Sequence, residues 1–424
     1  MTDKWVLFDL DGTLTQSEEG IWKSARHTLK TLGYPEPDGA TLQKMIGPPL
    51  VWSFRELYGM TEEQALQAQE IYRGRYNTVG LYENRVYPGI RYALRCLKKA
   101  GYRLGVVTGK PENPTRKILE HFGLAPFFES VICATDNKAD KEEMIRKSLP
   151  GDFAEAWMTG DRKFDMEGGK RAGIHTLGVT YGYGSEEELR ESGAEKLAHT
   201  PREIAEILCP GTEPPRGAFL SMEGLDGSGK GTQLERLAGT LDRYGFEVVR
   251  TREPGGTAIG EKIRGILLDR ENAEMADETE ALLYAASRAQ HVRELIRPAV
   301  AAGKIVLCDR FLDSSAAYQG GGRQLGLEKV LMMNAPAVDG TLPDLTVYLE
   351  INHRKALERR CAVSEPDRME MEAEQFHARV EDGYHRLISK DPGRFAVVNA
   401  EGDREEIAAE IARKVLERLL EDLD

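Results

Sequence analysis

Phe219-Leu220-Ser221-Met222-Glu223-Gly224-Leu225-Asp226-Gly227-Ser228-Gly229-Lys230-Gly231-Thr232 passes from an apolar run into a glycine-rich turn and then into a helical pattern. Glycines let successive backbone N–H groups curl around a phosphate, a helix N-terminus adds positive potential, and a lysine at the end of the turn reaches the outer oxygens. The stretch therefore predicts a phosphate-binding loop between a buried strand and a helix. Its candidate site residues are Gly224, Asp226, Gly227, Ser228, Gly229, Lys230, Gly231 and Thr232. One position departs from the usual pattern. Where such loops carry a metal-binding hydroxyl stands Gly231, and the hydroxyl comes one place later at Thr232.

Outward from this loop, short apolar runs at 218–223, 247–250, 305–309, 345–351 and 395–399 alternate with amphipathic segments. That alternation predicts a parallel sheet covered by helices. Upstream, residues 209–217 read CPGTEPPRG, and three prolines in so short a stretch deny backbone donors and favour turns. Residues 209–216 are accordingly expected to be a linker. Before it, runs at 5–10, 104–108, 130–134, 156–160 and 176–179 predict a second α/β unit over residues 1–208. Between its first two runs, residues 16–85 carry the apolar spacing of several helices, which predicts a helical cap inserted after the first strand. The chain thus reads as two three-layer α/β domains, 1–208 and 217–424.

Composition narrows the function. A net charge of −13 repels a phosphate backbone and an anionic membrane surface, so neither nucleic acid nor membrane is an expected partner. The five cysteines are odd in number and never spaced as CxxC, which argues against a disulfide framework or zinc site and for a reducing, cytoplasmic setting. No apolar run approaches the ~18 residues of a membrane span.

In the first unit, VLFDLDGTLT ends an apolar run with Asp9 and Asp11. One such carboxylate can attack phosphorus while the other protonates the leaving oxygen and later takes a proton from water. Two carboxylates facing a phosphate call for a cation, and Mg²⁺ suits oxygen ligands. Thr108 closes the VVTG run, Lys141 opens a KEEMI helix, and GDRKFD supplies Asp161 and Asp165. In order and type these resemble the four motifs of the haloacid-dehalogenase phosphatases, over about 208 residues. The resemblance implies a Rossmann-like core, Asp9 as nucleophile, Asp11 as acid and base, Thr108 and Lys141 on the phosphoryl oxygens, and Asp161 with Asp165 completing a Mg²⁺ site that includes Asp9 and Asp11. Lys138 is the alternative to Lys141, and the KxExI pattern favours Lys141. The runs IGPPL, GLYENRVYPGI and GDRKFDMEGGKRAGI look closer to the phosphoglycolate-phosphatase-like group, some of whose members are 5′-nucleotidases. A small phosphate monoester is the implied substrate.

In the second unit, TREPGGT (251–257), EALLYAASRAQH (280–291) and DRFLDSSAAYQGGGR (309–323) resemble thymidylate kinase blocks in order and spacing, from about residue 217 to the end. The resemblance implies a P-loop nucleoside-monophosphate kinase fold, ATP with Mg²⁺, dTMP as acceptor, and a homodimer. Arg264, Arg288 and Arg310 offer forked donors to phosphate or base oxygens. Tyr284, where the family more often shows Phe, offers a face for stacking thymine. Glu253, Pro254, Ser314 and Gln319 complete the implied acceptor site, and Asp309 orients Mg²⁺ or the acceptor phosphate. Arg359, Arg360 and Arg368 flank CAVSEPD, which matches the family's lid. Since the loop DGSG lacks the arginine of some members, Arg359 or Arg360 is expected to meet the transferring phosphoryl. Two alternatives stand beside this reading: a first unit that regulates without turnover, against which its intact motifs argue, and another acceptor nucleotide, since GKGTQ is shared with adenylate kinases.

Overall fold

The computed structural model describes residues 3–47, 49–135, 140–361, 368–369 and 372–421. The chain divides into two compact units, Met1–Glu213 with Asp242–Phe246 and Pro214–Leu241 with Glu247–Asp424.

The first unit is built on a six-stranded sheet. Its strands are β1 (Lys4–Phe8), β4 (Tyr102–Thr108), β5 (Ser130–Cys133), β6 (Glu155–Gly160), β7 (His175–Val179) and β8 (Lys196–Ala198), and the small strands β2 (Thr15–Gln16) and β3 (Arg85–Val86) pair apart from it. The spatial order is β5-β4-β1-β6-β7-β8 with every pairing parallel. Because β1 lies between strands reached in opposite directions, the carboxyl ends of β1, β4 and β6 frame the crevice where open α/β sheets bind ligands. β2 and β3 pair antiparallel, Thr15 opposite Val86, and frame the inserted helices. Those are Glu18–Thr31, Gly39–Lys44, Leu50–Tyr58 and Glu62–Arg75, followed by a π-helical turn at Tyr76–Gly80. The helix at Glu62–Arg75 starts at a reciprocal cap: Thr61 accepts from Gln64 N, and the Gln64 side chain accepts from Thr61 N.

The second unit has β9 (Ala218–Gly224), β10 (Val248–Arg252), β11 (Ile305–Asp309), β12 (Leu345–Glu350) and β13 (Phe395–Asn399), in the order β10-β11-β9-β12-β13, again all parallel. β9 is buried along its whole length, as the near-continuous apolar run requires of a central parallel strand. The helix Lys230–Arg243 leaves directly from the turn after it.

The structure departs from the sequence expectation in several details, among them Asp242–Phe246, which groups with the first unit and not with the expected 217–424 domain. β10 runs on to Arg252 instead of stopping at 250, because Arg252 pairs with Asp309 across to β11. The edge strand β8 had no forecast, since three residues carry too little periodicity to read.

Candidate active sites

In the first unit, Asp9 follows β1, Thr108 ends β4, and Asp161 follows β6, so three strand ends bring them together. One ligand oxygen each from Asp9, Asp161 and Asp165 lies within 4.8 Å of the others. Lys141 Nζ bridges two of these groups, 2.7 Å from Asp9 Oδ1 and 2.6 Å from Asp165 Oδ1, and donates to Val107 O at 2.8 Å. Asp161 accepts from Tyr183 N at 2.8 Å and from the Thr13 hydroxyl at 3.3 Å. Burial, helped by the Asp165 and Asp11 charges and opposed by Lys141, pushes Asp9 up to about 7. Burial, then the neighbouring Asp165 and Asp9, pushes Asp161 well above the carboxylate range. Lys141 is raised: burial disfavours its charge, but Asp165 and Asp9 outweigh it. Three crowded carboxylates with one ammonium are a donor set that fits a hard divalent cation.

Asp11 stands apart from that group. Its Oδ2 receives Lys110 Nζ at 2.5 Å, and its Oδ1 is buried without a hydrogen-bond partner among the described residues. Lys110 was no candidate in the sequence, although it follows Thr108 by two places and its amide donates to the Thr108 hydroxyl at 3.2 Å. Gly12 has φ +89°, and a Cβ there would sit 2.2 Å from Asp161 Oδ2, so the position directly after Asp11 admits no side chain. Lys138 lies outside the described residues.

In the second unit a cavity of about 890 Å³ is lined by Asp226 through Thr232 of the glycine-rich turn, together with Glu253, Pro254, Arg264, Tyr284, Arg288, Asp309, Arg310, Ser314, Gln319, Arg359 and Arg360. Every residue expected of this site except Gly224 lines it. Gly224 instead shapes the turn at φ +144°, and Gly227, at φ +88°, has Ala356 O only 2.0 Å from where a Cβ would stand. Lys230 Nζ donates to Gly224 O at 3.1 Å and Leu225 O at 2.9 Å. Burial, then nearby Arg310, lowers its pKa. Asp226 bonds Arg310 and accepts from Tyr318 Oη at 2.8 Å. Burial works against its charge, but Arg310 and Lys230 hold it below the ordinary value. Asp309 Oδ1 is buried and has no hydrogen-bond partner among the described residues. Thr232 is exposed.

Arg288 is held closely. It donates to Glu253 at 2.8 Å, to Phe311 O at 3.0 Å, to Ser315 Oγ at 3.1 Å, and to Asn334 Oδ1. Four of its five N–H groups are therefore spoken for within the protein. Glu253 also meets His291 Nδ1 at 2.9 Å. Arg264 donates to Pro254 O at 2.9 Å, directly after the cis Glu253–Pro254 peptide. Ser314 donates to Glu223 at 2.5 Å, and Tyr384 Oη donates to the same carboxylate at 2.9 Å. Gln319 Nε2 donates to Glu280 at 2.9 Å. Glu223, Glu280, His291 and Tyr384 were not singled out in the sequence, where nothing marks a supporting residue from any other. Arg359 bonds Ala400 O at 2.8 Å, Arg368 is buried against Glu280, and residues 362–367 of the expected lid lie outside the described residues.

Comparison with known proteins bears on both halves. The thymidylate kinase family model matches residues 222–411, and the haloacid dehalogenase-like hydrolase model matches residues 6–179. Over 203 residues the chain is 50% identical to a thymidylate kinase of Halothermothrix orenii, covering 47% of this chain and 97% of that one. It is 45% identical over 206 residues to a thymidylate kinase of Geobacillus sp. WCH70, covering 48% and 98%. A crystal structure of a predicted phosphatase from Clostridium acetobutylicum is 39% identical, over 49% of this chain and 99% of that one, with a TM-score of 0.45. The chain belongs to the thymidylate kinase family through its second unit and carries a haloacid dehalogenase-like hydrolase as its first.

Proposed function

We propose that the second unit transfers the γ-phosphoryl group of ATP to dTMP, giving dTDP and ADP, and that the first hydrolyses a small phosphate monoester through an aspartyl phosphate. The two activities divide at residues 209–216. The observation that carries the kinase reading is the single cavity in which the glycine-rich turn meets Glu253, Arg288, Arg310 and Gln319. Backbone N–H groups of residues 226–231 and the Lys230 ammonium hold the ATP phosphates. Arg310 reaches the acceptor phosphate, Tyr284 packs on the thymine ring, and Gln319 and the remaining Arg288 N–H meet its polar edge. Arg359 or Arg360 offsets charge on the moving phosphoryl. The buried Asp309 oxygen, unpaired among the described residues, fits a divalent ion held with ATP. Mg²⁺ bound there supplies charge neutralisation between the phosphates.

In the first unit the Asp9 oxygen attacks phosphorus, the phosphorus–ester bond breaks, and Asp11 passes its proton to the leaving oxygen. Asp11 then takes a proton from water, whose oxygen displaces phosphate from Asp9. Thr108 and Lys141 hold the phosphoryl oxygens throughout. Asp9, Asp161 and Asp165 are the residues that would hold Mg²⁺, which supplies electrostatic relief between carboxylate and phosphate. Phosphoglycolate and nucleotides are the candidate esters.

Exposed Ile259, Ile266, Leu282 and Met332 sit on the neighbouring helices Ala258–Leu268, Asp277–His291 and Leu327–Val338, a face a second copy would cover. A homodimer in the cytoplasm is our reading, and among the described residues no helix is long and apolar enough to cross a membrane. The test is a panel of nucleoside monophosphates with ATP, alongside a phosphate-ester panel with Asp9→Asn as the blank. We expect dTMP to exceed dAMP by orders of magnitude in kcat/KM, since buried polar groups left unpaired are costly. Equal values, or ester hydrolysis that survives in the blank, would overturn the corresponding half.

A further inference from the structure

Glu280 is a fully buried carboxylate on the helix Asp277–His291, absent from the cavity wall. Three groups converge on it. Arg323 donates at 3.1 Å to Oε2 and at 3.3 Å to Oε1, Arg368 donates at 2.6 Å to Oε2, and Gln319 Nε2 donates at 2.9 Å to Oε1. Flanked by two guanidinium groups, the carboxylate acts only as an acceptor. An amide that meets it must present nitrogen, because an amide oxygen turned that way would be repelled. The Gln319 oxygen is left on the other side, accepts no hydrogen bond from the described residues, and belongs to a side chain that lines the cavity.

We propose that Glu280 is a positioning residue that fixes the Gln319 amide with its oxygen toward the bound base, and so selects bases carrying an N–H on the edge Gln319 meets. Thymine and uracil offer N3–H there, whereas cytosine offers an unshared pair that the amide oxygen repels. The selection against cytosine is thus set by a residue that touches no substrate. It rests on the reading of the cavity as the dTMP site.

The experiment measures kcat/KM for dTMP, dUMP and dCMP in the full chain. Glu280→Gln keeps size, but its own amide oxygen is drawn to Arg323 and Arg368, its nitrogen then faces Gln319, and the Gln319 amide turns over. The dTMP/dCMP ratio should fall by about tenfold or more, while the dTMP/dUMP ratio, which senses only a methyl group, should stay within about twofold. In a Gln319→Leu background, Glu280→Gln should leave the dTMP/dCMP ratio where Gln319→Leu alone puts it. An unchanged ratio in Glu280→Gln, or an equal fall in the Gln319→Leu background, overturns the proposal. Should Glu280→Gln not fold, Glu280→Asp decides in its place: it keeps the charge, withdraws the carboxylate from Nε2, and should move the ratio the same way. A wild-type enzyme that treats dTMP and dCMP alike refutes the dTMP site itself, which is a different failure.

Discussion

Lys110 Nζ lies 2.5 Å from Oδ2 of Asp11, and the remaining oxygen of that carboxylate is buried with no partner among the described residues. The same ammonium stands 5.0 Å over the ring of Tyr76, from the π-helical turn at Tyr76–Gly80. Burial disfavours the Lys110 charge, yet Asp11 beside it holds the pKa above its ordinary value. Asp11 is thereby anchored through one oxygen and presents the other. Lys110→Met should cut ester hydrolysis by at least about tenfold in kcat, and Lys110→Arg should retain part of it. Steady-state hydrolysis of the best ester checks this; a Lys110→Met variant as fast as wild type removes Lys110 from the machinery.

Asp9→Asn should abolish ester hydrolysis and leave the kinase within a few-fold of wild type, because each motif set is complete within its own unit. Both assays are run on the same preparation. A kinase loss of ~100-fold, about 2.7 kcal/mol at the transition state, would refute independence.

Burial, then the Asp313 charge, pushes Glu223 up to about 7, although it accepts from Phe311 N at 2.7 Å and from two hydroxyls. Since the folded-state value lies above the unfolded one, the folded protein holds an extra proton between about pH 4.5 and 7, and stability falls as pH rises through that window. Glu223→Gln cannot ionise. Relative to wild type it should gain on the order of 2 kcal/mol between about pH 5 and pH 8. Denaturant melts of the two proteins at both pH values measure this, and a difference independent of pH contradicts the buried-carboxylate account.

The sequence made legible what is local. The turn from Gly224 to Lys230 and the aspartates at strand ends carry their chemistry in contiguous residues, and the periodicity around them placed the strands. The supporting contacts were hidden because they join distant parts of the chain. Lys110 and Asp11 are 99 residues apart, and Glu280 and Arg368 are 88 apart. A lysine two places after a threonine, or a glutamate on an amphipathic helix, reads as a solvated charge until the sheet order brings its partner to it. Arg288 shows the converse. Its position was legible, but its commitment to Glu253, Asn334, Phe311 and Ser315 was not.

Gly231 leaves the glycine-rich turn without the usual hydroxyl, and two residues compete to replace it. Asp309 ends β11 beside β9, and its Oδ1 is buried without a partner among the described residues, a costly arrangement unless a ligand completes it. Thr232 is exposed on the helix Lys230–Arg243, one position beyond the usual place. Hard Mg²⁺ accepts carboxylate, water and ATP oxygens without a side-chain hydroxyl, so wild-type turnover should be substantial despite Gly231. Asp309→Asn should then lower kcat by about 100-fold and raise the Mg²⁺ concentration needed for half-maximal rate. Thr232→Val keeps the shape and removes only the hydroxyl, so its Mg²⁺ requirement should stay near that of wild type. Titrating Mg²⁺ against rate at saturating ATP and dTMP for both variants separates the two assignments. A steep rise for Thr232→Val with Asp309→Asn barely changed would hand the metal to Thr232, and the unpaired Asp309 oxygen would then need another ligand.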